Sequence, residues 1–230
     1  MRVLYPFSIE ISSSLGLFAR PDTGSEPCST LIPYNSKFKG IVESYCWNPN
    51  IETLPLAVGM CFEPELTSFT FNSHSPDRKS DTINKQAACQ IRNTWLVNPR
   101  YQLLGAFYNK SEQITQNHAH ACQEMLARRI RSGRDFRQPV MGRSGFFIKA
   151  KKPITPIFEH LNYEFPGFPT IQIKEGKQLT QWSVAKVNNG VFKYSSEDYG
   201  VKTEGGFFCF GNEKTNDLLN KFLKKCQYAQ

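Results

Sequence analysis

Between residues 38 and 45 the apolar side chains Phe38, Ile41, Val42 and Tyr45 fall at i, i+3, i+4 and i+7, the spacing of one helix face. Asn35 or Ser36 stands where an N-cap is expected, and Pro49 is expected to end the helix. Strand signals surround this segment. Val3 to Ile11 is rich in strand formers, though Pro6 and Glu10 interrupt it, and Leu54 to Phe62 is a second apolar run. Residues 68–90 carry few large apolar anchors and read as a protruding loop or hairpin between strands. Arg92 to Val97 and Tyr101 to Tyr108, divided by Asn98-Pro99, read as strand, turn and strand. Asn117 can cap a second helix that runs to near Gly133, with Cys122, Met125, Leu126 and Ile130 on its apolar side.

The order strand, helix, strand, long insertion, strand, helix is that of a ferredoxin-like (RRM-type) α+β domain. This domain is expected over residues 1–143, with an inserted β-hairpin at about 68–98. From Phe146 to Phe210, short strand-like runs lie between Gly, Pro and Asn signals. They predict a small C-terminal antiparallel β domain over 144–230, closed by a terminal helix from about Glu213. That helix would carry Leu218, Leu219, Phe222, Leu223 and Cys226 on one face.

Charge changes the picture most. The stretch Arg128 to Lys152 holds nine cations (Arg128, Arg129, Arg131, Arg134, Arg137, Arg143, Lys149, Lys151, Lys152) against Asp135, which equals the net charge of +8 of the whole chain. A cationic excess confined to one segment is the footprint of a polyanion, here nucleic acid. Two readings of the stretch stand. Arginines at a helix C-terminus also form a solvated face that suits the helix dipole. Against this, the charges continue past Gly133, Gly142 and Gly145, and Phe136, Phe146 and Phe147 are interleaved as stackers or as core. Arg78, Lys79 and Lys85 in the 68–90 segment suit a thumb that touches RNA or a neighbouring subunit, or a solvated loop.

Seven scattered cysteines, none in a C-x-x-C pair, predict reduced thiols and a cytoplasmic protein. No apolar run approaches ~20 residues, and the first residues read as a strand without a signal-peptide core, so no membrane partner is expected. His118, His120 and Cys122 would share one face of a strand, but on a helix the i, i+2 and i+4 positions do not converge. Neither a metal nor a cofactor is expected. His118 remains a candidate for proton transfer near neutral pH.

Three blocks carry a resemblance to a known family. Leu17-Phe18-Ala19-Arg20-Pro21, Pro33 and the helix segment Lys39 to Pro49 form the first, with the pattern G-I-x-E-x-x-x-W-x-P met by Gly40, Ile41, Glu43, Trp47 and Pro49. The second is Arg92 to Tyr101 followed by Ala106, and the third, weaker alone, is Gly142-Arg143 before Phe146. Over roughly residues 7–150 the chain resembles the CRISPR-associated Cas five family in its type I-C form. The resemblance implies a subunit of a Cascade effector complex that binds the 5′ handle of crRNA and caps the backbone filament. Its partners would be crRNA or pre-crRNA and the backbone and large subunits, with target DNA met indirectly.

The resemblance also implies a second activity, metal-independent cleavage of pre-crRNA by the substrate's own 2′-OH. Such cleavage needs a base, an acid and a cation. The family's set resembles a Tyr just before the helix Trp plus a Lys-His pair. Here those positions hold Cys46, with Tyr45 one residue earlier, and Asn117-His118. The candidate catalytic set is therefore His118, Tyr45 and Lys110. A shift of one residue turns a helical side chain by about 100°, and Tyr45 also fits the apolar stripe. The candidate RNA contacts are Lys37, Lys39, Arg128, Arg129, Arg131, Arg134, Arg137 and Arg143. Handle binding, repeat cleavage and a stand-alone basic RNA-binding protein are the three functional readings.

Overall fold

A computed structural model describes residues 5–24, 26–74, 88–110, 118–174, 177–194, 202–204 and 207–209. The chain runs through β1 (Tyr5–Ser12), β2 (Leu15–Gly16), α1 (Asn35–Tyr45) and β3 (Ile51–Met60). A hairpin of β4 (Glu65–His74) and β5 (Ala88–Val97) follows, then β6 (Arg100–Asn109), α2 (His118–Ser132) and β7 (Lys149–Lys151). Strands β8 (Tyr163–Lys174), β9 (Lys177–Asn188), β10 (Val191–Lys193), β11 (Lys202–Glu204) and β12 (Phe207–Cys209) complete it. The result is a mixed α/β fold dominated by antiparallel sheets. The main sheet has the order β7-β1-β6-β3-β10-β9-β8, and every pairing in it is antiparallel.

Helix α1 connects β1 to β3, and α2 connects β6 to β7. Both bury the stripe that the 3.6-residue period marks: Phe38, Ile41, Val42 and Tyr45 in α1, Ala119, Cys122 and Leu126 in α2. Phe38 meets Phe7 of β1 and Tyr194, with ring centroids 6.4 and 5.7 Å apart, and Phe7 lies 4.6 Å from Phe107 of β6. Each such ring taken out of water contributes about 1.5–3 kcal/mol. Pro55 lies inside the central strand β3, where it has no N–H to give. The register shifts there, Pro55 facing Gly105 and Ala57 facing Leu104, so a bulge absorbs the missing donor.

The expected cap of α1 is not what forms. Tyr34 occupies the cap position without a side-chain capping bond, and Asn35 is the first helical residue. The Asn35 amide instead serves β8: its Nδ2 donates to the Ile171 carbonyl (2.7 Å) and its Oδ1 accepts from the Ile171 N–H (3.0 Å). The Asn117 cap lies outside the described residues. At the start of α2, Asn109 of β6 supplies the oxygen that accepts the Ala119 N–H (3.2 Å).

Glu10, which interrupts the apolar run of β1, is fully buried. The chain after β7 crosses the sheet and supplies what this carboxylate needs. It accepts from the Ile154 and Thr155 N–H groups (both 3.0 Å) and the Thr155 hydroxyl (2.7 Å), with Lys151 at 3.2 Å and Arg100 at 3.8 Å. Burial alone would raise its pKa; these donors outweigh burial and hold it below the ordinary carboxylate value.

The segment 68–90 is part of a hairpin whose arms are β4 and β5, paired from Glu65↔Val97 to His74↔Ala88. With β2 it makes a separate three-stranded sheet. Asn98, at φ 45°, turns the chain out of that sheet into β6. Arg78, Lys79 and Lys85 lie outside the described residues. The strands beyond residue 144 differ from the expected separate unit. β10 pairs with β3 (Val191↔Gly59), so β8 to β10 extend the same sheet, and Phe168, Phe192 and Tyr194 carry the core onward from Phe38. That pairing joins residues far apart in sequence, which no local pattern signals. The terminal helix expected from Glu213 lies outside the described residues. Among the described residues no helix is long and apolar enough to cross a membrane.

Candidate nucleic-acid interface

The basic stretch is shaped first by the way α2 ends. Gly133 has φ 64°, its N–H donates to the Ile130 carbonyl (3.4 Å), and the Arg134 N–H donates to the Arg129 carbonyl (3.0 Å). This is a Schellman stop, which reverses the chain and satisfies carbonyls at the helix end. The reversed chain then crosses the end of α1. The Phe136 and Arg137 N–H groups both donate to the Ser44 carbonyl (2.9 and 2.8 Å), and the Arg129 guanidinium donates to the Tyr45 carbonyl. The orphan carbonyls at the C-terminus of α1 are thus met by α2 and its tail.

Further on, residues 139–148 close into a loop through Met141 N–H to the Phe146 carbonyl (2.7 Å) and Ile148 N–H to the Pro139 carbonyl (3.0 Å). Gly142 fixes this loop to the body. Its φ is 84°, and a Cβ there would lie 1.9 Å from the Leu17 carbonyl oxygen. Leu17 in turn donates its N–H to the Met141 carbonyl (2.9 Å). Two of the blocks that carry the family resemblance therefore touch, and Arg143 is exposed beside the contact.

Between α1 and residues 136–142 lies a groove of about 460 Å³. Lys37, Gly40, Glu43 and Ser44 line it from the helix, Trp47 from just past the helix end, and Phe136 and Arg137 from the tail of α2. The Trp47 and Phe136 rings are nearly parallel, 18° between planes with centroids 6.3 Å apart, and are 52% and 46% exposed. The guanidinium carbons of Arg129 and Arg137 lie 5.9 and 5.6 Å from the Phe136 ring centre. Glu43 is half-buried; burial, reinforced by nearby Glu52, raises its carboxyl above the ordinary value. The Lys37 ammonium lies 5.7 Å from the Tyr34 ring, and burial lowers its pKa.

The cations divide into two groups. Arg128, Arg131, Arg134, Arg137 and Arg143 are exposed, and none has a carboxylate partner among the described residues. Others hold the fold together. Lys151 pairs with buried Glu10, Arg129 is half-buried against Tyr45, and Lys39 pairs with Glu52. In the sequence these rank with the rest, because their partners come from other elements of the fold.

The three candidate catalytic residues are distributed unevenly. His118 opens α2, and Lys110 follows Asn109, the residue whose side chain holds the Ala119 N–H; both are at one end of the sheet. The Lys110 ammonium lies 3.9 Å from Glu52. Tyr45 is in the core at 5% exposure, and burial, helped by Asp135, pushes its hydroxyl pKa up. Cys46 is also buried, its thiol 3.5 Å from the Cys122 carbonyl, and the hydrogen bond to Cys122 together with burial keeps it protonated. Among the described residues no cluster of His, Cys, Asp and Glu could hold a metal ion. Glu43 and Trp47 belong to the motif that carries the resemblance, but their place in the groove emerges only in the structure. The signal in the sequence was a tryptophan off the apolar stripe, just past the helix end.

No family model and no curated protein matches the sequence. Solved structures do match the fold. A CRISPR-associated protein superposes with a TM-score of 0.67 at 13% identity, over 86% of this chain and 96% of that one. A functionally uncharacterized protein, SMU1763c from Streptococcus mutans, superposes with a TM-score of 0.65, also at 13% identity and the same coverage. At that identity the likeness is one of fold. A chain from a CRISPR RNA-guided surveillance complex reaches a TM-score of only 0.43, too loose to bear on this chain.

Proposed function

We propose that this chain is the crRNA-binding subunit of a CRISPR effector complex, gripping the 5′ handle at the groove between α1 and residues 136–142. The observation that carries the reading is a groove lined by half-exposed Trp47 and Phe136 and by Arg137, within a basic stretch whose exposed Arg128, Arg131, Arg134, Arg137 and Arg143 have no carboxylate partner among the described residues. Cations without carboxylates, set around aromatic rings, suit single-stranded RNA. Three further points support it. The four strands β7-β1-β6-β3 with their two helices have the chain and strand order of a ferredoxin-like domain. The fold is shared with a CRISPR-associated protein. Two of the sequence blocks that resemble the Cas five family, the α1 segment and Gly142-Arg143, contribute residues to the groove lining.

In this reading the exposed arginines hold phosphates, Lys37 adds charge from α1, and the β4–β5 hairpin faces RNA or a neighbouring backbone subunit. The large subunit and target DNA are met through the assembled complex. Cleavage of pre-crRNA is the second reading, favoured by one observation: His118 and Lys110 share an end of the sheet. There His118 would exchange the proton and Lys110 would stabilise the phosphorane charge.

Incubating the protein with repeat RNA in EDTA tests both. Tight, salt-sensitive binding without cutting is expected. Prompt cutting that His118→Ala abolishes would replace the binding-only account with the nuclease. Absence of binding at moderate salt would end both.

A further inference from the structure

Two large rings stacked side by side in solvent are costly to the fold. Trp47 and Phe136 are about half exposed, and each ring left wet forfeits part of what its burial would contribute. Neither is needed to hold α2's tail in place, since the backbone bonds to Ser44 and the Arg129 bond to Tyr45 do that. Gly40 adds a second observation. It lies inside α1, where glycine destabilises a helix, yet a Cβ there would meet nothing within 4 Å. Packing does not demand a glycine at this position; its absence of side chain keeps the groove wall bare.

Glu43 gives the third. Its half-buried carboxylate lines the same groove, where an anionic phosphate would be repelled. The groove interior therefore suits a flat, uncharged, hydrogen-bonding group, while the cations Arg137 and Lys37 stand to either side of it. We infer that the groove holds one unpaired nucleobase, stacked on the Trp47–Phe136 pair, with its flanking phosphates kept at the rim by Arg137 and Lys37. This rests on the RNA-binding reading and adds a base-stacking subsite to it.

The test is an abasic scan of a single-stranded RNA handle, measured by equilibrium binding to wild type, Trp47→Ala, Trp47→Phe and Arg143→Gln. One abasic position is expected to weaken binding to wild type by roughly 5- to 100-fold. The same position should cost Trp47→Ala little more than it has already lost, and Trp47→Phe should restore most of the penalty. A thermal melt of Trp47→Ala that matches wild type excludes a general loss of fold as the cause. Trp47→Ala should keep the salt dependence of wild type, whereas Arg143→Gln should lower it. If the abasic penalty is the same in wild type and Trp47→Ala, the stacking subsite is wrong while RNA binding stands. If wild type binds no RNA, the functional reading itself fails and the subsite with it.

Discussion

Removing the carboxylate of Glu10 should unfasten the chain that leads away from the basic stretch. Glu10→Ala deletes the acceptor of three hydrogen bonds, from the Ile154 and Thr155 N–H groups and the Thr155 hydroxyl, and the counter-charge of Lys151 and Arg100. The two ammonium and guanidinium groups are partly exposed and recover water, so they add little to the cost. The backbone donors under the sheet do not. Breaking a buried, hydrogen-bonded ion pair on one side costs about 3–5 kcal/mol. For a chain of this size that lowers the melting temperature by roughly 6–20 °C. Glu10→Gln keeps the shape and one acceptor, so its loss should be smaller. The pH profile gives the sign. The folded-state pKa lies below the unfolded value of 4.5, so the contribution is present above that value and is lost as pH falls through the folded pKa. Urea melts from neutral to acid pH measure this, and the gap between wild type and Glu10→Ala should shrink at the acid end. A Glu10→Ala protein within about 1 kcal/mol of wild type at neutral pH would refute the account of how Glu10 holds the chain after β7.

Three smaller predictions concern the site. Tyr45→Phe should leave RNA affinity unchanged and stability within about 1 kcal/mol, whereas Tyr45→Ala should cost about 3–5 kcal/mol in a thermal melt; a large affinity loss in a folded Tyr45→Phe would bring the hydroxyl into the site. Gly142→Ala combines a φ of 84° with a Cβ 1.9 Å from the Leu17 oxygen, and should cost at least about 1–3 kcal/mol and weaken RNA binding by displacing Arg143. Glu43 has a raised folded-state pKa, so wild type loses stability as pH rises from 4.5 through the raised value. Glu43→Gln lacks that loss, so its advantage in urea melts should appear on the alkaline side of this window and vanish below it; parallel profiles would count against the assignment.

Local pattern in the sequence was enough to find the two helices and the strands that flank them. The stripes Phe38-Ile41-Val42-Tyr45 and Cys122-Leu126 are core in the structure, because amphipathic spacing reflects one packing face. What stayed hidden depends on partners far along the chain. Asn35 looked like a cap and bonds Ile171, 136 residues away. Lys39 reads in the sequence as an RNA contact and Lys151 as part of the basic stretch, and their ion pairs with Glu52 and Glu10 were not legible there. The joining of β10 to β3 was invisible for the same reason, since nothing in either strand encodes the register of the other. The groove was half legible. Its arginines stand out by charge, but the Trp47–Phe136 stack exists only because the Schellman stop at Gly133 folds the tail of α2 back over α1.

The most direct test of the central claim is the salt dependence of binding to single-stranded repeat RNA. If the five exposed arginines each hold one phosphate, the logarithm of affinity should fall against the logarithm of salt with a slope of about −3.5, each contact contributing about −0.7. Replacing Arg134, Arg137 and Arg143 with glutamine should flatten that slope by about 2. A slope near zero in wild type, or one unchanged by the triple replacement, would contradict the assignment of this surface to RNA.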